Sequence, residues 1–211
     1  MPEDKPVYPE ALALLHEYVQ NPRLLEHAYS VEGVMRYMAG KAGEDEEKWA
    51  IIGLTHDLNA EVNLKRFSRD ARERFAEQGW SENYIRAIDS RTVRDLLTER
   101  DWPEEYLRAI DSHDWEALTD VEPVTRLEKT LYTVDKLAWI IARMAFKDPE
   151  KGINTLSADD VIEKWEEDDT ISPPRYRTVI EKGVGMLGVS LRELAGDVIL
   201  ALRLISDKLG L

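Results

Sequence analysis

The run Ile51-Ile52-Gly53-Leu54-Thr55-His56-Asp57-Leu58-Asn59 constrains the fold more than any other stretch of the chain. Its apolar residues demand burial, and they carry a histidine and an aspartate inward with them. An unpaired buried carboxylate is costly, so such groups are protonated, paired with a cation or bound to a metal. Two more polar residues interrupt apolar stripes at helical spacing. His27 shares a face with Leu24, Val31 and Val34, and Asp135 stands with Leu131, Ala138 and Ala142. His56 follows Ile52 by one turn and Trp49 by two, and Asp57 follows Gly53, whose missing side chain leaves room for another group to approach. The expectation is that His27, His56, Asp57 and Asp135 meet around one metal ion.

The chain has no cysteine, so thiolate ligands, disulfides and a cysteine nucleophile are excluded, and any metal must sit among nitrogen and oxygen donors. That donor set suits zinc, manganese, iron, cobalt or nickel without choosing among them. A length of 211 residues, 43% hydrophobic and 33% charged, describes one sizeable globular domain, or one domain with an appended subdomain. The net charge of −14 argues against duplex nucleic acid as a partner, because lysines and arginines must displace its counterions. A small anionic substrate is still allowed, since a bound cation reverses the local potential of a site. No apolar run approaches the roughly 18 residues that cross a bilayer. Met1-Pro2-Glu3-Asp4 does not open a signal-peptide pattern. No membrane partner and a cytoplasmic location are therefore expected.

The periodicity is helical almost throughout, with no convincing strand alternation. Helices are expected over about Pro9–Val19, from Asn21-Pro22 to about Ala39, and from Glu44–Glu47 through His56. A charged amphipathic helix follows over about Val62–Gln78, and a long helix spans about Thr125–Ala145. Ser157 with Asp160 reads as a helix N-cap pair. Arg175–Met186 and Ser190–Lys208 form a terminal pair around Gly188. The acidic, turn-rich segment Glu163–Pro174 is the candidate for a mobile linker or lid. Trp80-Ser81-Glu82-Asn83-Tyr84-Ile85-Arg86-Ala87-Ile88-Asp89-Ser90 is echoed by Trp102-Pro103-Glu104-Glu105-Tyr106-Leu107-Arg108-Ala109-Ile110-Asp111-Ser112. One tandem copy is too few for a solenoid, so it reads as a duplicated helical hairpin over about 79–113 within one domain. The expected organisation is a helical bundle over 1–147 and a C-terminal helical extension over 148–211, which packs on the bundle or makes an oligomer contact.

A lone histidine on an apolar face is more often a hydrogen-bonded core residue than a ligand. That reading loses force where two inward histidines and two inward aspartates coincide in a chain with only four histidines. The spacing is unlike His-Glu-x-x-His, and no glycine-rich phosphate loop, nucleophile elbow or dinucleotide fingerprint is present. His16 reads as structural or exposed. Trp49, Trp80, Trp102 and Trp139 read as packing residues, and Arg91 and Lys136 as solvated or ion-paired.

The order His27, then His56-Asp57, then a distant Asp135 on a helix resembles the HD-domain superfamily of metal-dependent phosphohydrolases. Leu24-Leu25-Glu26-His27 with Val31-Glu32 is similar to the first-histidine helix of that family. Gly53-Leu54-Thr55-His56-Asp57-Leu58 is similar to its signature helix, and Thr133-Val134-Asp135 to its last-ligand helix. Val179-Ile180-Glu181-Lys182-Gly183 through Leu187-Gly188-Val189 looks like the tail of uncharacterised bacterial members. The resemblance implies an all-α HD-type bundle in which His27, His56, Asp57 and Asp135 hold the primary metal. Members with two metals add two histidines between the signature and the last aspartate, whereas here only His113 is present. Asp70 or Asp89 would have to substitute for the other, so one ion rather than two is expected. The lysine that often follows the signature is replaced by Asn59-Ala60-Glu61.

The activity so implied is hydrolysis of a phosphate ester, of a nucleotide or other small metabolite, by a metal-activated water. Asp57 would orient that water or take its proton, and His113 would act as the acid/base partner. Two other readings fit the same ligands: an HD-type iron oxygenase, and a regulatory HD module that binds metal or ligand without turnover.

Overall fold

The computed structural model describes residues 5–60, 92–147 and 152–210. Among these residues the chain is all-helical, with no strand and one isolated bridge between Trp115 and Thr119. The helices are α1 (Tyr8–Tyr18), α2 (Pro22–Ala42), α3 (Glu46–Thr55), α4 (Val93–Thr98), α5 (Glu104–Ser112) and α6 (Arg126–Lys147). After them come α7 (Gly152–Thr155), α8 (Ala158–Lys164), α9 (Pro174–Leu187), α10 (Leu191–Leu204) and α11 (Ser206–Leu209). The charged helix expected over Val62–Gln78, the first copy of the repeat with Trp80, and Asp70, Asp89 and Arg91 lie outside the described residues. No described helix is long and apolar enough to cross a membrane.

Local chemistry sets where these helices start and stop. Asn21 accepts the Arg23 amide hydrogen at 3.0 Å with Pro22 in the first turn, and Gly43 closes α2 at a φ of 70°. Asp45 caps α3 by accepting from the Lys48 amide at 2.9 Å. Ser157 and Asp160 form the expected reciprocal capping box, and Thr92 with Asp95 forms another.

The core is built on α2, α3 and α6. Every residue of α3 from Trp49 to Thr55 is buried, because α1, α2 and α5 surround it. α2 and α3 come closest at Gly53. A methyl group there would sit 3.0 Å from the Val31 carbonyl oxygen and 3.2 Å from the Glu32 Cα. The space beside Gly53 is thus filled by the backbone of α2, and this contact brings His27 and the end of α3 together. A similar approach at Gly183 seats α9 on Thr133 of α6, one turn above Lys136 and two residues from Asp135.

The segment expected to be a mobile linker is held down. Trp165, Ile171 and Ser172 are buried, and the Trp165 indole donates to Glu181 at 3.1 Å. Arg177 donates to the carbonyls of Trp165 and Ser172 and to the Asp169 carboxylate. The acidic residues 166–169 therefore face outward while two apolar neighbours anchor the loop. The last expected helix also breaks, at Ile205, where φ is −122° and ψ is 13°. The break lets the Ile205 side chain lie over Gly33 of α2, where a Cβ would be 2.5 Å from it.

Glycine replacement separates close approach from helix propensity. Gly53→Ala forces the α2 backbone to shift and is expected to cost about 1–3 kcal/mol. Gly196→Ala, in α10 with open space around it, is expected to add about 0.5–1 kcal/mol. Urea denaturation midpoints check both, and equal effects at the two positions would contradict the packing described.

Candidate metal centre

His27 projects from α2, Asp135 from α6, and His56 occupies the C-cap of α3. His27 Nε2 lies 3.0 Å and His56 Nε2 3.5 Å from the same carboxylate oxygen, Asp135 Oδ1. One donor atom from each residue falls within 4.8 Å of the other two. His56 and Asp135 are fully buried, while the His27 side chain retains 13% exposure. The two imidazoles meet edge to face with centroids 5.3 Å apart.

Hydrogen bonding fixes the His56 ring. Its Nδ1–H donates to the Gly53 carbonyl at 2.7 Å, which leaves Nε2 directed at Asp135. That nitrogen is buried without a hydrogen-bond partner, as is His27 Nδ1. A neutral Nε2 presents a lone pair to a carboxylate, a repulsive arrangement unless a proton or a cation lies between them. Two donors bound at about 2.1 Å to one ion are roughly 3.0–3.4 Å apart for angles between 90° and tetrahedral. The separations from Asp135 Oδ1 match that spacing, so these residues fit a metal ion. They form a buried cluster of the kind that holds one.

Burial works against the His56 imidazolium, but the close Asp135 carboxylate, with the Asp57 charge adding to it, holds its pKa above the usual histidine range. Burial likewise opposes the Asp135 carboxylate. The Lys136 ammonium and both imidazoles outweigh it and hold the carboxyl well below the carboxylate range. Lys136 Nζ contacts Asp135 Oδ2 directly. Burial by itself would lower the Lys136 pKa, yet Asp135, Asp114 and Asp57 raise it.

Asp57 is half-buried and is not among the three residues whose donor atoms converge. α3 ends at Thr55, and residues 56–59 form a turn. Its carboxylate acts on the centre as a second negative charge near His56 and Lys136. His113 lies against the centre: it caps α5, is buried, and its ring stands perpendicular to His56 at 5.1 Å. Its Nδ1 bonds the Ile110 carbonyl, and its Nε2 faces Asp114 Oδ2 at 3.4 Å. Asp114 is the residue that the sequence reading passed over. The available signal was a second His-Asp pair, His113-Asp114. Lys136 proves ion-paired, as expected for such a residue. His16 stands apart, exposed on α1, with Nε2 3.0 Å from the Tyr29 hydroxyl. Trp49 and Trp102 are core, and Trp139 is half-buried beside the centre's opening.

The sequence profile of the HD domain matches residues 24–140, more than half of the chain, and those bounds enclose all three converging residues. The chain belongs to the HD-domain family. No curated protein and no solved structure matches it.

Replacing His56 by alanine, or Asp135 by asparagine, is expected to remove stoichiometric divalent metal from the purified protein. Elemental analysis checks this, and full metal content in both variants would contradict the assignment. The pKa directions give a second expectation. The raised His56 pKa stabilises the metal-free fold fully below about 6.5 and ceases to do so as pH rises through the folded-state value. The depressed Asp135 pKa contributes above about 3.9 and is lost only in acid. As pH rises from about 6.5 through the folded-state value, chelator-treated protein should therefore lose thermal stability. Stabilisation by added divalent metal should grow over the same range as the competing proton leaves. A melting temperature insensitive to both pH and metal would count against the site.

Proposed function

We propose that the protein is a phosphohydrolase that uses one divalent transition metal ion and acts on small phosphate esters, nucleotides among them. The observation that carries this reading is the two imidazoles turned toward one buried carboxylate, with the buried His56 Nε2 lacking a hydrogen-bond partner among the described residues. Membership of the HD-domain family supports it. His27, His56 and Asp135 would hold the ion, with Asp57 completing the set. When bound, the ion would supply Lewis acidity toward a phosphoryl oxygen and an activated water.

The chain's own residues have separate tasks. Lys136 keeps Asp135 anionic and so able to ligate. Gly53 orients His56 through its carbonyl and fixes which nitrogen is offered. Asp57, next to His56 and half-exposed, can accept a hydrogen bond from the attacking water and take its proton. His113 holds Nδ1 against a backbone carbonyl, which leaves Nε2 to exchange a proton with substrate or leaving group. Asp114 lies beside that nitrogen, with Oδ2 at 3.4 Å.

Phosphomonoesters, phosphodiesters and nucleoside triphosphates tested with manganese, zinc, cobalt, nickel and ferrous iron should reveal hydrolysis of at least one class. His113→Ala should lower kcat about 10²–10⁴-fold on that substrate while the metal content is kept. Silence across the panel from metal-loaded protein would overturn the reading in favour of a non-catalytic module. Oxygen consumption with iron would favour an oxygenase.

A further inference from the structure

A cleft of about 750 Å³ opens beside His27, the one cluster residue with appreciable exposure. Arg23, Glu26 and His27 of α2 line one side, Trp139, Arg143 and Phe146 of α6 the other, and Leu209 of α11 closes part of it. Both arginines lie on the same side of the metal centre. Arg23 precedes His27 by one turn, about 6 Å of helix rise, and Arg143 follows Asp135 by eight residues, about 12 Å. Trp139 stands on the turn between Asp135 and Arg143.

The charges in this cleft are unequally spent. Lys147 at its rim donates to the Thr170 hydroxyl at 2.9 Å and lies 3.7 Å from the Asp168 carboxylate. Arg143 stacks on the Trp139 ring at 5.0 Å, and its Nε is buried without a hydrogen-bond partner. Among the described residues, neither Arg23 nor Arg143 meets a carboxylate with its guanidinium. Glu26 is the only acidic residue of the lining, so the cleft carries an excess of positive charge in a protein whose net charge is −14. A guanidinium buried in part with free donors is suited to phosphate, whose oxygens it can bind as a fork.

We propose that this cleft is a second phosphate subsite, in which Arg23 and Arg143 hold a phosphate that the substrate carries beyond the one at the metal centre. The inference rests on the phosphohydrolase reading and narrows it. Preferred substrates are esters with two separated phosphate groups, spanned by a moiety that packs on Trp139 and Phe146. Simple monoesters occupy only half of the site.

Hexane-1,6-diphosphonate and hexylphosphonate are probes of equal chain length that ester hydrolysis does not consume. Isothermal titration of zinc-loaded full-length protein should show the diphosphonate binding at least about tenfold more tightly. Exchanging both arginines, Arg23→Met with Arg143→Met, should reduce that ratio to about twofold, the statistical advantage of a symmetric ligand. Elemental analysis of the same sample checks that zinc is still bound. Equal affinities in the unaltered protein, or a preference that survives the double replacement, would overturn the inference. A diphosphonate preference in a protein that hydrolyses nothing would support the subsite and overturn the phosphohydrolase reading, so the two failures remain distinct.

Discussion

The Asp135 carboxylate is fully buried, and the surrounding structure is arranged to compensate its charge. One oxygen faces two imidazoles and the other meets the Lys136 ammonium. Removing one partner of a buried ion pair costs roughly 3–5 kcal/mol, because the other charge is left stranded. Replacing the whole group by apolar residues is often neutral or stabilising, so stability alone does not account for it. What the arrangement does is keep a carboxylate ionised in the interior, with His56 Nε2 directed at it.

Close packing brings these groups within reach of one another. α2 and α3 are locked at Gly53, where backbone meets backbone, and the same residue's carbonyl fixes the His56 ring. The glycine therefore serves both packing and orientation. Across the bundle, Gly183 lets α9 settle over Thr133, two residues before Asp135 on α6. The helices beyond residue 152 thus buttress the last-ligand helix. They also reach back to α2 through Ile205 over Gly33 and the Lys208–Glu32 ion pair at 3.0 Å. Leu209, near the end of this tail, borders the cleft that leads to His27.

Much of this was legible in the amino-acid order because burial leaves a pattern. His27 and Asp135 each interrupt an apolar face at helical spacing, and the HD-type order of residues added that they meet. The fold class followed from the same periodicity. Other features left no such trace. Asp57 lies in the turn that follows Thr55, where helical spacing no longer says which way a side chain faces. Lys136 neighbours Asp135 in sequence, yet adjacent residues on a helix do not face each other, so their pairing depends on a long flexible stem. Glu163–Pro174 has the composition of a loose linker, but Trp165 and Ile171 anchor it, and two apolar residues weigh little in a composition reading. The arginines of the cleft are 120 positions apart, and only the packing of α2 on α6 puts them in one place.

The central claim is that His27 and His56 ligate one ion together with Asp135, and X-ray absorption spectroscopy of zinc-loaded protein tests it most directly. Two imidazole nitrogens and carboxylate oxygen at about 2.0–2.2 Å, with the outer-atom scattering of the imidazole rings, are the predicted result. A zinc surrounded by oxygen alone, with no imidazole scattering, would contradict it.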